Sequence, residues 1–209
     1  VIDLIKAKRF ATSGEVYEKY GLVVDRPTVL FTQHSVTTEF DRADSQIEPS
    51  LAAMVELAQE GFQILITYPN NDAGGMRIIK EINKLRDRNV ENVQVHDSLG
   101  RYYYHGVLNL CGVEGRGVNV GNSSSGIKET PAFGCPCVNV GSRQDGRLRS
   151  TNVIVVGYDK SEILDAIRKS IFDEEFRDRC RKCENPYGEG NSGARIAEIL
   201  SRTELSPDL

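Results

Sequence analysis

Six short runs of β-branched and aliphatic residues, separated by longer amphipathic stretches, set the narrowest limit on what this chain can fold into. The runs are Thr28–Thr32, Gln63–Tyr68, Val93–Val95, Val118–Val120, Val138–Val140 and Val153–Val156. Runs apolar on both faces are stable as strands only when both faces are covered. Between the first two, Leu51, Met54, Val55 and Ala58 recur at the spacing of one helical face, and Gly61 supplies the residue tolerant of positive φ that helix ends favour. Ile78, Ile79 and Ile82 mark a second helix over 75–86, and a third is expected near 102–111. The end is helical, with Ile163, Ile167 and Ile171 on one face, a stretch over 172–183 and a closing helix carrying Ile196, Ala197 and Leu200. This alternation predicts an α/β fold, a Rossmann-like parallel sheet with helices on both faces. The opening residues and the tail Ser206–Leu209 are expected to be disordered.

Charge narrows the partners. With 26 basic and 30 acidic residues the net charge is −4, which argues against nucleic acid or an anionic membrane. No apolar run approaches the roughly 18–20 residues of a membrane span, and Val1–Arg9 lacks the features of an export signal, so a cytoplasmic protein is expected. The chain opens on Val1 rather than Met, as a processed or truncated piece would. Five cysteines, an odd number without an export signal, read as free thiols. Cys180 and Cys183 have the gap of a metal knuckle but no second pair and no neighbouring His. No metal and no cofactor is expected; Asp72 or Asp97 would be the residues to hold a cation.

In an open parallel sheet the ligand lies beyond the carboxyl ends of the strands. Five polar segments occupy those places: Gln33–Glu39, Tyr68–Gly74, Val95–Ser98, Gly121–Gly126 and Gly141–Arg147. The strongest is Gly121-Asn-Ser-Ser-Ser-Gly126. Three hydroxyl residues ahead of a helix offer backbone N–H groups, hydroxyl donors and the positive end of a helix dipole to an anion, phosphate above all. The same serines also serve as ordinary helix caps. Glu129, early in that helix, either accepts from a ribose diol or is a solvated carboxylate facing the dipole. Arg143 and Arg147 are either a diphosphate clamp or surface charge. His34 is a phosphate donor, a proton-transfer group or a buried structural histidine, and His96 and His105 have weaker claims. Asn70 and Asp72 suit a site or a turn.

Taken together, these segments resemble one family, the UDP-N-acetylglucosamine 2-epimerases, and within it the hydrolysing branch of sialic-acid and related nonulosonic-acid pathways. The resemblance runs from about Asp25 to Leu200. It rests on Gln33-His-Ser-Val-Thr-Thr38, Tyr68-Pro-Asn-Asn-Asp-Ala-Gly74, Gly121-Asn-Ser-Ser-Ser-Gly-Ile-Lys-Glu129, Pro136 through Arg147, and Asn185-Pro-Tyr-Gly-Glu-Gly-Asn191. The non-hydrolysing branch usually reads Asp-Ser-Gly-Gly at the phosphate loop, so Gly-Asn-Ser-Ser-Ser-Gly favours the hydrolysing relatives. The resemblance implies a GT-B-type enzyme of two Rossmann-like domains, with UDP held mainly by the second.

Carried over by position, Ser123 and Ser124 would bind the diphosphate, Glu129 the ribose hydroxyls and Arg143 the nucleotide's anionic part. His34 would act at the phosphate beside the sugar, as the one catalytic candidate, Asn70 would line the site, and the backbone near His96 to Ser98 would face the uracil. Gly112–Gly117 reads as an insertion against the family pattern. Family members are roughly double this length, so residues 1–24 read as the link from a missing N-terminal domain and 25–205 as the UDP-binding domain. That missing domain carries the acid and base; Asp41, Asp44 and Glu48 read as a solvated helix start. The implied reaction converts UDP-GlcNAc, or a related UDP-sugar, to UDP and a ManNAc-type sugar by elimination and hydration. This chain alone is expected to be inactive, with the missing domain and possible homo-oligomers as partners. A GT-B glycosyltransferase donor domain and a non-catalytic UDP-binding domain are the alternatives.

Overall fold

The computed structural model describes residues 1–203; the expected domain end at 205 and the tail from Ser206 lie outside the described residues. Six strands form one parallel sheet: β1 Thr28–Thr32, β2 Gln63–Thr67, β3 Val93–His96, β4 Gly117–Gly121, β5 Cys137–Val140 and β6 Val153–Val156. Their order across the sheet is β3-β2-β1-β4-β5-β6. The order reverses between β1 and β4, and at such a switch point the loops leaving the two strands diverge and open a crevice.

Period-two alternation divides each central strand between two cores. Val29, Phe31, Ile64, Ile66, Val118 and Val120 face helices α3 (Ala43–Gln59), α4 (Gly75–Asp87) and α7 (Lys160–Phe172). Leu30 and Leu65, paired across β1 and β2, face the other layer, with Val107 and Leu108 of α5 (Gly100–Asn109).

The opening residues correct the expectation of disorder. They form α1 (Ile2–Lys6) and α2 (Ser13–Tyr20), and Ile5, Ala11, Val16 and Tyr20 are buried in the second core. The physical reason is a capping box: Thr12 Oγ1 accepts from the Glu15 N–H at 3.3 Å, and the Glu15 carboxylate accepts the Thr12 N–H at 2.9 Å. Gly21, at φ +67°, closes the helix in the left-handed conformation.

The Gly112–Gly117 stretch, expected as an insertion, is the exit from α5. The helix widens into a π turn at Leu110–Glu114 before entering β4. A Cβ on Gly112 would lie 2.0 Å from the Phe133 carbonyl oxygen, so only glycine passes there. Arg177, on α8 (Glu174–Arg181) and 1% exposed, donates to the carbonyls of Gly112 (3.1 Å), Gly115 (2.8 Å), Gly117 and Ser170 (both 3.3 Å). It satisfies main-chain acceptors that the widened turn leaves bare. Arg177→Met keeps the bulk and removes the donors. It is expected to cost about 3 kcal/mol of stability, read by urea denaturation; a loss below about 0.5 kcal/mol, the range of ordinary surface changes, would contradict this role.

Candidate functional site

At the switch point the loop after β1 meets the loop after β4. Asn122 Oδ1 accepts the His34 main-chain N–H at 2.6 Å, and Asn122 Nδ2 donates to the His34 carbonyl at 2.8 Å. The loop after β5 joins them, because Gln144 Nε2 and Arg143 Nη1 donate to the Asn122 carbonyl at 2.7 and 3.3 Å. Arg143 Nη2 reaches Asp72 Oδ2 at 3.1 Å, tying in the loop after β2. The Asn70 N–H, from that same loop, donates to His34 Nδ1 at 2.9 Å.

These loops wall a cleft of about 300 Å³ whose lining includes Thr32, His34, Thr67, Ser123, Ser125 and Glu129. Asp97 and Ser98, after β3, also line it, where the resemblance expects a base to lie. His34, Ser123 and Glu129 thus come together. Ser124 does not line the cleft and makes no capping bond with its side chain. Asn70 and Arg143 do not line it either; they bear on it through His34 and Asn122.

The expected helix behind the serines is a single turn, α6 (Ser125–Lys128), followed by a 3₁₀ turn at Thr130–Phe133. Pro131 cannot donate a helical hydrogen bond, and the Thr130 hydroxyl takes the Gly126 carbonyl at 2.7 Å. One turn carries little dipole, so this helix end offers less positive potential than the serine loop suggests. The late Asn185–Asn191 motif is structural at this end, with Asn185 Nδ2 donating to the Lys128 carbonyl at 2.9 Å. Arg147 is exposed, and His96 sits edge-on to the Tyr20 ring with Nε2 against Gln94 Oε1 at 3.3 Å.

Titration behaviour follows from these contacts. Burial, reinforced by the Arg143 charge, pulls His34 from 6.5 down to about 4. Its Nδ1 is an acceptor, so the proton of the neutral ring resides on Nε2. Hydrogen bonds from Asn70 and Arg143 hold the Asp72 carboxyl below its usual range. For Glu129, burial pushes upward, yet the bonds from His105 and Ser125 together outweigh it and leave the carboxyl below the usual range.

Sequence reasoning takes Asn122 and Ser125 only as parts of the serine loop and gives His105 a weaker claim than His34. Ser125 lies four residues before Glu129, a spacing that already put its hydroxyl within reach of that carboxylate. His105 carried no local signal, because its partner is 24 positions away. Among the described residues no group of three His, Cys, Asp or Glu side chains is arranged to hold a metal, and no helix is long and apolar enough to cross a membrane.

Comparison with known proteins identifies the family. The family model described as UDP-N-acetylglucosamine 2-epimerase matches residues 1–201. The chain is 30% identical over 208 residues to the UDP-N-acetylglucosamine 2-epimerase of Neisseria meningitidis, covering 97% of this chain and 50% of that protein. It is 28% identical over 176 residues to the GDP/UDP-N,N'-diacetylbacillosamine 2-epimerase (hydrolyzing) of Campylobacter jejuni, covering 83% and 43%. The S. aureus MnaA–UDP co-structure superposes with a TM-score of 0.62 at 19% identity, over 96% of this chain and 52% of that one, which speaks to the fold alone. The chain therefore spans about half the length of the curated relatives it matches. With a family model matched along nearly its whole length, the chain belongs to the UDP-N-acetylglucosamine 2-epimerase family.

Proposed function

We propose that this chain is the C-terminal, UDP-binding half of a hydrolysing UDP-sugar 2-epimerase, acting on UDP-N-acetylglucosamine or a related UDP-sugar. The observation that carries the reading is the cleft at the β1/β4 switch point, where His34, Ser123 and Glu129 converge. A relative named as a hydrolysing enzyme adds support. In the proposed reaction a base removes the proton on carbon 2 of the sugar while the bond from carbon 1 to UDP breaks, giving a glycal and UDP. Water then adds across the double bond to give the 2-epimeric sugar. The acid and base belong to the other half of the enzyme; this half holds the leaving group.

Negative charge grows on the departing phosphate, so what this half supplies is electrostatic stabilisation. The Ser123 hydroxyl and the His34 Nε2–H are the donors, and Glu129 takes the ribose hydroxyls. A ring with its pKa near 4 is neutral at pH 7, so His34 donates a hydrogen bond without surrendering a proton. Asn70 fixes the tautomer that makes this possible. Arg143 supplies nearby positive charge.

Calorimetric titration of the chain with UDP, with GDP as control, tests this assignment. Three or four net hydrogen bonds at roughly 1–1.5 kcal/mol each predict binding in the high-micromolar to millimolar range. Ser123→Ala and Arg143→Ala should each weaken UDP by about tenfold, and Ser124→Ala by much less. A folded chain that ignores millimolar UDP would refute the nucleotide-binding role. Turnover of UDP-N-acetylglucosamine by this chain alone would refute the placing of the acid and base elsewhere.

The neutrality of His34 has its own consequence. Its pKa in the folded chain lies below the ordinary 6.5, so between about pH 6.5 and 4 the unfolded chain binds the extra proton. Stability is therefore full above about 6.5 and is lost as pH falls toward 4, by at most about 3 kcal/mol from this group. Asp72 and Glu129 add losses only at the lower pH where carboxylates protonate. Melting temperature followed from pH 7 to 4.5 should fall less for His34→Gln than for the parent chain; parallel curves would refute a buried neutral ring.

A further inference from the structure

We propose that His105 is a positioning residue for Glu129, fixing this carboxylate so that its free oxygen meets the ribose diol of a bound nucleotide. The inference rests on the nucleotide reading above and adds to it a residue that the sequence motifs do not contain.

Glu129 is gripped from two sides. Ser125 Oγ, from α6, donates to Glu129 Oε2 at 2.9 Å, and His105 Nε2, from α5, meets the same Oε2 at 2.9 Å. Both protein donors therefore converge on one oxygen, and among the described residues Oε1 has no protein partner. The Glu129 side chain is 18% exposed and lines the cleft, so the unclaimed oxygen is the one available to a ligand.

A glutamate held only by a serine four residues back would still be free to swing about its long stem. A second donor from a different helix removes that freedom, and ordering cost saved before binding appears as affinity.

The surroundings of His105 point to the same role. The residue is 1% exposed, between the rings of Tyr104 and Phe133, with centroids at 6.5 and 5.6 Å. Its Nδ1 is buried with no partner, so the bond to Glu129 is the ring's one polar contact. A histidine buried merely to fill space would be replaced without loss by an apolar side chain. Here the single satisfied nitrogen is spent on a carboxylate that faces the cleft. The helix beneath it is held in place: the Ala11 N–H donates to the Tyr102 carbonyl at 3.1 Å, and a Cβ on Gly106 would lie 2.6 Å from the Ala11 carbonyl oxygen. The opening segment thus packs closely against α5, the helix that carries His105.

The test compares UDP with 2′,3′-dideoxy-UDP, which lacks the diol, on the full chain and its variants. His105→Leu should weaken UDP by about tenfold and leave the dideoxy nucleotide unchanged, because the lost bond acts through the diol alone. His105→Gln, whose amide can donate to Oε2, should recover most of the UDP affinity. In a Glu129→Gln background, His105→Leu should have no further effect on UDP, since the two residues act as one unit. Should the leucine variant fail to fold by circular dichroism, His105→Met carries the same comparison. Equal weakening of both nucleotides, or additive losses with Glu129→Gln, would overturn the positioning role while leaving UDP binding intact. A parent chain that binds neither nucleotide would overturn the nucleotide reading, and this inference with it.

Discussion

Two hydrogen bonds between the Asn122 side chain and the main chain of His34 carry the geometry of the cleft. They extend the β1/β4 pairing beyond its last backbone rung, across the gap where the sheet order reverses and the loops would otherwise part. The bridge depends on Gly121. That residue sits at φ +125°, and a Cβ on it would lie 1.9 Å from the Thr32 carbonyl oxygen. Any side chain there would push β4 away from β1 and pull Asn122 off His34. Arg143 and Gln144 then build on the Asn122 carbonyl, so three loops meet at Asn122 and the loop after β2 joins them through Arg143 and His34.

Beneath that point lies a polar layer that is buried yet largely satisfied. Gln33 Nε2 donates to the Gln46 carbonyl at 3.0 Å, and the Ser50 hydroxyl donates to Gln33 Oε1 at 2.8 Å. The Thr32 and Thr67 hydroxyls bond to each other at the ends of β1 and β2. Each such group left unpaired would cost about 1–3 kcal/mol, so the pairing dictates one loop conformation rather than several. The consequence is a cleft whose wall has one defined arrangement of polar groups.

The fold was legible because its signals are local. Strand composition, helical spacing and glycine at helix ends each span fewer than twenty residues, and all six strands fall where those signals put them. The capping box at Thr12 and Glu15 was equally local, and overlooking it is why the opening helices were missed. The site divides by the same criterion. Ser123, Glu129 and His34 stand at strand ends or just beyond them, where parallel-sheet topology alone points. Asn122 has its partner 88 positions away and His105 has its partner 24 away, so nothing in the local sequence could distinguish them from loop and helix residues. The single turn of α6 shows the opposite failure, a local rule applied too far: the serines suggested a helix start, and Pro131 ended the helix almost as it began.

Arg143 is already paired with Asp72, and the pairing moderates the charge that the guanidinium presents. Both side chains are part-exposed, at 23% and 32%, and such a pair is worth at most about 1 kcal/mol. Exchanging Asp72 for another anion would therefore cost little. The Asn122 carbonyl keeps the guanidinium aimed throughout, and Asp72, near the surface, is left in water rather than as a bare buried charge. Under the function proposed above, Arg143 would act on charge in the cleft from behind Asn122, with Asp72 moderating how firmly any anion is held.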